Sequence, residues 1–277
     1  MNCWSSFFFL LLFAFQVVQL KGQDLFNLSS SIKYANYLYT AGEYELAANE
    51  YERVIFLDST NMPARIMLLK SYRMIREYKK GISVSRVFYK DYNYMPNTVA
   101  FETGKLLLGD KQYREAERLV SINTEISNDE KLFLLLSDNM LKGDFKTADS
   151  LYQSNISVRA DFISDYGSIL KTVSDLRFKK PALSVMMSAI VPGTGKIYSG
   201  YWKDGVISLV FIAASAWQSY RGFNKNGIES AYGWIFGSLA VGFYVGNLYG
   251  SGKSAHQRNS IINNNLNHRI ESVFNNY

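Results

Sequence analysis

The chain has 277 residues, 48% of them hydrophobic, with 20 Tyr, 18 Phe and only 4 Pro. That apolar content excludes a disordered chain, and the scarcity of proline suits long helices. The net charge of +6 contains no run of five basic residues, which argues against nucleic acid as a partner. The single cysteine, Cys3, rules out an internal disulfide, and it precedes the first apolar run where a lipoprotein cysteine would follow it.

In chain order, Phe7 to Leu20 is apolar except for Gln16 and Gln19, and polar residues follow from Lys21. The block is short for a membrane span and has signal-peptide dimensions. Two readings of residues 1–22 stand: a cleaved signal peptide, with Gly22 small enough to precede the cut, or an uncleaved anchor, since Met1 to Ser6 carries no Lys or Arg.

Four segments then align: Gly42-Glu43-Tyr44-Glu45-Leu46-Ala47, Arg76-Glu77-Tyr78-Lys79-Lys80-Gly81, Lys111-Gln112-Tyr113-Arg114-Glu115-Ala116 and Gly143-Asp144-Phe145-Lys146-Thr147-Ala148. Each has an aromatic followed three residues later by Ala or Gly, which shares a helical face with it. The aromatics at 44, 78, 113 and 145 are 34, 35 and 32 residues apart. Ala35, Leu69 and Gly104 stand at one equivalent position upstream, and Leu38, Tyr72 and Leu107 at another.

This spacing resembles the tetratricopeptide repeat, a helix–turn–helix unit of 34 residues. The likeness runs from about Ser29 to Tyr152. Leu69, Gly81 and Ser85 depart from the family's pattern. The resemblance implies an all-α helical solenoid over residues 29–176, with Arg159 to Lys171 as a capping helix. It also implies a protein or peptide partner in a groove. The family's groove positions fall on Asn36, Tyr39, Lys70, Arg73, Phe101, Lys105, Phe133 and Met140. The equivalent Asn36, Lys70 and Lys105 could favour an acidic ligand, although a solvated helix face is the favoured account of them and the full carboxylate clamp is missing.

After Lys179-Lys180-Pro181 the composition changes. Pro181 to Gly195 and Gly205 to Tyr220 carry no charge, and Ser230 to Gly252 is uncharged for 23 residues. Residues 181–252 therefore read as a membrane domain: an interfacial segment and a transmembrane helical hairpin that turns at Arg221 to Glu229. Aromatics sit at both ends of the expected spans, Tyr198, Tyr201, Trp202 and Tyr249 at one and Trp217, Tyr220, Tyr232 and Trp234 at the other. Gly242, Gly246 and Gly250 form a helix-packing stripe, for Ala213 and Ala214 or for a second copy in a homo-oligomer.

Gly193-Thr194-Gly195-Lys196 invites a phosphate-loop reading, which fails because Ile190 stands where the first glycine belongs and Ile197 where Ser or Thr belongs. The run Pro192-Gly193-Thr194-Gly195-Lys196-Ile197-Tyr198-Ser199-Gly200, followed by Asp204 and Gly205, resembles the Pro-Gly-x-Gly-x-x-Tyr-x-Gly lead into small bacterial two-helix membrane modules such as the TM2 domain. The expected role is geometric, a tight turn at the membrane surface. Residues 253–277 form a polar tail. Ile262, Leu266, Ile270 and Phe274 recur in it every fourth residue, as in a short amphipathic helix, with disorder as the other reading.

The expected function is a membrane-anchored scaffold at a bacterial inner membrane, with the array facing the periplasm. The alternative is activity in the membrane domain itself, as an oligomeric pore or an insertion or assembly factor. The basic residues flanking the array side would favour the opposite orientation. Only His256 and His268 are available for histidine chemistry, and neither has a Cys or paired carboxylate at ligand spacing, so neither an enzyme nor a cofactor is expected.

Overall fold

The computed structural model describes residues 27–158 and 160–277. The expected signal segment, 1–22, and Arg159 lie outside the described residues. The described chain is all-helical, with thirteen α-helices. It divides into two compact units, one up to Asp138 and one from Asn139 onward.

The first unit contains α1 (Leu28–Thr40), α2 (Tyr44–Leu57), α3 (Met62–Met74), α4 (Tyr78–Phe88), α5 (Asn97–Gly109), α6 (Tyr113–Ile122) and the start of α7 (Asn128–Lys142). Side-chain oxygens start several of these helices: Asn27 accepts from the Ser30 amide at 2.8 Å, and Asn61 from the Ala64 amide at 3.0 Å. Three of the four aromatics of the sequence alignment, Tyr44, Tyr78 and Tyr113, are the first residues of α2, α4 and α6. The fourth, Phe145, opens α8 (Phe145–Ser154) in the second unit.

The turn before each aromatic is the same device. Gly42, Arg76, Lys111 and Gly143, each two residues before an aromatic, have φ of 83°, 61°, 60° and 76°. The next amide reaches back five residues, Glu43 to Leu38 O and Glu77 to Tyr72 O at 2.9 Å, Gln112 to Leu107 O at 2.8 Å. That is the bonding of a left-handed helix stop, which satisfies carbonyls the ending helix leaves free.

Ala35, Ala47, Ala48, Tyr51, Val54, Leu68 and Tyr72 form the core of α1–α3. Two glycines of the repeat region, Gly81 and Gly104, have packing reasons. A Cβ on Gly81 would come within 2.9 Å of the Leu106 methyls, and one on Gly104 within 2.8 Å of a Leu134 methyl, so each glycine admits a leucine from the next pair. Asn123 fastens the link between α4 and α5. Its amide donates to Tyr92 O at 2.6 Å and Met95 O at 2.9 Å, and its oxygen accepts from the Glu125 and Ile126 amides at 3.0 Å.

The second unit contains α8, α9 (Asp161–Asp175), α10 (Pro181–Ile190), α11 (Thr194–Tyr198), α12 (Trp202–Asn226) and α13 (Ala231–Asn276). Helices α12 and α13 form the hairpin. The tail is not a separate short helix: α13 runs unbroken for 46 residues, about 69 Å, through the boundary expected at 252/253. Its Leu266, Ile270 and Phe274 are buried, and its end packs on α9, whose Phe162, Ile163, Tyr166, Ile169 and Leu170 are also buried. Arg269 donates to Thr172 Oγ1 at 2.9 Å and Ser168 Oγ at 3.1 Å, and Asn259 exchanges two bonds with the Lys179 backbone. Among the described residues no helix is long and apolar enough to cross a membrane.

Candidate functional site

Sequence spacing places the eight groove residues on α1, α3, α5 and α7, but most of them are not on a surface. Asn36 is exposed, Tyr39 and Lys70 are half-buried, and Arg73, Phe101, Lys105, Phe133 and Met140 are buried. Asn36 is also occupied, since Tyr51 Oη donates to its side-chain oxygen at 2.7 Å.

The inner part of this set in the first unit forms a charged cluster inside an aromatic shell. Arg73 Nε donates to Glu102 Oε2 at 3.0 Å, with only 6% and 5% of the two side chains exposed. Lys105 is fully buried, its Nζ 5.4 Å from the Phe101 ring centre and 5.7 Å from that of Phe133. The two rings pack at 5.7 Å. Burial pushes the Lys105 ammonium down to about 8. Glu102 opposes that shift, and the positive charges of Arg73 and Lys70 add to it. Burial likewise raises the Tyr39 phenol, against the pull of Arg73. A lysine tuned near neutrality could serve as a base or nucleophile if substrate reached it. Lys105 has no exposed surface in this arrangement, and the Arg73–Glu102 pair beside it joins α3 to α5. The accessible part of the expected groove reduces to Asn36, Tyr39 and Lys70, beside the exposed Tyr34 and Tyr37 of α1.

In the second unit the Pro-Gly motif is a packing joint. Gly193 has φ of 89°, and a Cβ there would overlap the Gly205 carbonyl; Gly205 in turn has Gly193 O 2.6 Å from its own Cβ position. A Cβ on Gly195 would overlap the Ser184 carbonyl. Gly200, with φ of 91°, makes the turn into α12. Pro192 is half-buried at that joint, and Asp204 is exposed in the first turn of α12, where its negative charge suits the helix start. The Tyr198 ring faces Lys179 Nζ at 4.5 Å, and its oxygen accepts from the Lys180 amide at 3.3 Å.

Serines fasten α10, α11 and α13 together. Ser184 Oγ lies 2.8 Å from the carbonyl oxygens of both Gly195 and Ser251, and Ser188 Oγ 2.7 Å from Ser251 Oγ. The Gly195 amide donates to Ser188 Oγ at 2.9 Å. At the turn end of the hairpin Ser219 Oγ donates to Gly233 O at 2.9 Å, and a Cβ on Gly222 would meet the Gly233 amide at 2.7 Å. The residues of α12 facing inward are Ser215, Ser219 and Gly222, not the expected Ala213 and Ala214, which are exposed.

The hairpin is thus polar within and apolar outside. Val210, Phe211, Trp217, Trp234, Ile235, Val241 and Val245 are each more than half exposed. The expected glycine stripe divides in use. Gly250 lies beneath the Lys196 side chain, whereas a Cβ on Gly242 or Gly246 would meet nothing within 4 Å. Among the described residues, no helix packs on those two glycines.

Sequence reasoning did not anticipate Glu102 as the partner of Arg73, nor the serine joint, nor Asn247. The signal for Asn247 was present: it is the only Asn in the uncharged stretch from Ser230 to Gly252. Among the described residues no three His, Cys, Asp or Glu side chains converge to hold a metal ion, and His256 and His268 are both exposed on α13. No protein-family model matches the chain, and no curated protein or solved structure matches it.

Proposed function

We propose that this chain is a scaffold held at a bacterial envelope membrane. In this reading α10, α12 and the first half of α13 form a membrane-embedded hairpin domain, and the tetratricopeptide-like array docks a protein or peptide partner. The observation that carries the proposal is the inverted polarity of the hairpin: serines inside, and many large apolar side chains outside. A soluble unit would leave that exterior as an apolar patch in water. In lipid the same arrangement satisfies both faces, because helix association there rests on small residues and interhelical hydrogen bonds.

Gly, Ser and Asn on the inward face, together with the exposed Ser238, Gly242 and Gly246, lower the apolarity of these helices. From Gly205 to Tyr220 and from Ser230 to Gly252, the large side chains at the exposed positions are apolar or aromatic. Trp202 and Tyr249 at one end, with Trp217, Tyr220, Tyr232 and Trp234 at the other, are all exposed, as interfacial aromatics would be. The export reading of residues 1–22 supports an array outside the cytoplasm, and the family resemblance supports a docking role for it.

Flotation of the full-length chain with lipid vesicles tests the membrane part. Co-flotation resistant to high salt is expected, and a chain that stays at the bottom without detergent would end the proposal. A photo-crosslinking residue at Asn36 or Tyr39 tests the docking part. A discrete protein adduct that Lys70→Glu abolishes is expected. A second reading, activity in the hairpin itself as a pore or assembly factor, is favoured by the open face at Gly242 and Gly246. It predicts that Gly242→Leu abolishes function while the array adduct persists.

A further inference from the structure

Between α12 and α13, at the end where α11 meets them, lies a cleft of about 290 Å³. Its walls are apolar: Ile207, Phe211 and Phe243, all exposed on the hairpin's outer surface, with the Phe211 and Phe243 ring centres 5.6 Å apart. Gly242 and Gly246 keep the α13 side open.

The rest of its lining is polar. Lys196 Nζ donates to Ser208 Oγ at 2.8 Å, which leaves two of its three N–H groups, and it makes no ion pair among the described residues. Asn247 is 2% exposed, and neither its amide nitrogen nor its carbonyl oxygen has a hydrogen-bond partner. Asn123, the buried asparagine of the other unit, makes four such bonds. A buried amide left bare costs about 1–3 kcal/mol, so one that lines a cleft beside a lysine marks a place for a ligand.

We propose that this cleft binds one anionic phospholipid of the surrounding membrane, with its phosphate at Lys196 and Asn247 and an acyl chain along Phe211, Phe243 and the two glycines. The charge sets the head: one cation, no carboxylate in the lining, and an amide able to donate to a phosphate oxygen. The walls set the tail, since the cleft opens onto the face that the proposed function immerses in lipid. The site rests on that membrane reading.

The test uses the full-length chain, purified in detergent and stripped of lipid. Its melting temperature is followed against phosphatidylglycerol, phosphatidylcholine and inorganic phosphate, and vesicle flotation is run in parallel. Phosphatidylglycerol is expected to raise the melting temperature saturably, the other two not. Lys196→Met removes the charge and keeps the stem. Gly246→Leu fills the cleft from a position where an added Cβ touches nothing. Both are expected to weaken the phosphatidylglycerol response at least tenfold while floating like the parent.

An equal response to phosphatidylcholine overturns the headgroup assignment. A response to phosphate alone overturns the lipid source. A Gly246→Leu chain with an unchanged lipid response but a lost oligomer would give the cleft to a second copy. Flotation with no selective response removes this site alone, whereas failure of the parent to float removes the membrane reading and the site together.

Discussion

Lys111 and Gly143 perform the same turn with different backbone freedom. Both have positive φ, which costs an L-residue about 1–2 kcal/mol and glycine almost nothing. Lys111 is exposed, so Lys111→Gly is expected to stabilise the fold by about 1 kcal/mol in urea denaturation, and Gly143→Ala to destabilise it by a similar amount. Lys105 gives a prediction in pH. Its folded value, about 8, lies below the usual 10.5, so between those values the unfolded chain binds more protons and stability rises with pH. The penalty for holding the ammonium inside is fully present below pH 8 and is relieved by about pH 10.5. Compared with Lys105→Met, the parent should gain about 1–3 kcal/mol over that window, and a flat difference would show that the buried amine stays charged. Tyr51 and Tyr72, pushed up to about 12 by burial, act oppositely, costing stability above pH 10 in parent and variant alike. The burial of Lys105 and two of the four turns were not legible in one sequence. Lysine at 105 reads as a solvated helix position until Phe101 and Phe133 are seen closing over it. Positive φ at Arg76 and Lys111 is invisible without glycine there, although Gly42 and Gly143 mark the same turn openly.

Among the elements, those defined by glycine and aromatic spacing were the most legible. Tyr44, Tyr78, Tyr113 and Phe145 each open a helix because a left-handed residue two positions earlier stops the one before. The Pro192–Gly205 segment was legible as a turn, but not its reason, which is contact between the backbones of Gly193 and Gly205 and of Gly195 and Ser184. Distant partners of that kind leave no local pattern. Melting in detergent separates two sorts of glycine. Gly195→Ala forces a methyl group into a carbonyl oxygen and should cost at least about 2 kcal/mol, enough to loosen α10 from α13. Gly242→Ala meets open space and improves helix propensity, so it should be neutral or stabilising by up to about 1 kcal/mol. If Gly242→Ala proved the more damaging, the stripe would be packing against a partner copy after all.

Taken across the whole molecule, composition marked a boundary that the backbone ignores. Sequence turns from apolar to Asn-rich at Lys253, but no proline follows there and no glycine after Gly252, and α13 continues to Asn276. Its first half carries the apolar exterior of the hairpin. Its second half is a polar helix with one buried stripe, Leu266, Ile270 and Phe274, laid on α9. One continuous helix therefore ties the proposed lipid-embedded hairpin to α9. Ending the chain at Gly252 tests this. It removes three buried side chains worth about 1.5–3 kcal/mol each and uncovers Phe162, Tyr166 and Ile169 on α9. Limited proteolysis should then cut first in α9, and dye binding should report the uncovered surface, while the shortened chain still floats with vesicles because Ser184, Ser188 and Ser251 keep the hairpin joint. Loss of flotation together with the tail would mean that the polar half of α13, and not the apolar hairpin, is what meets the membrane.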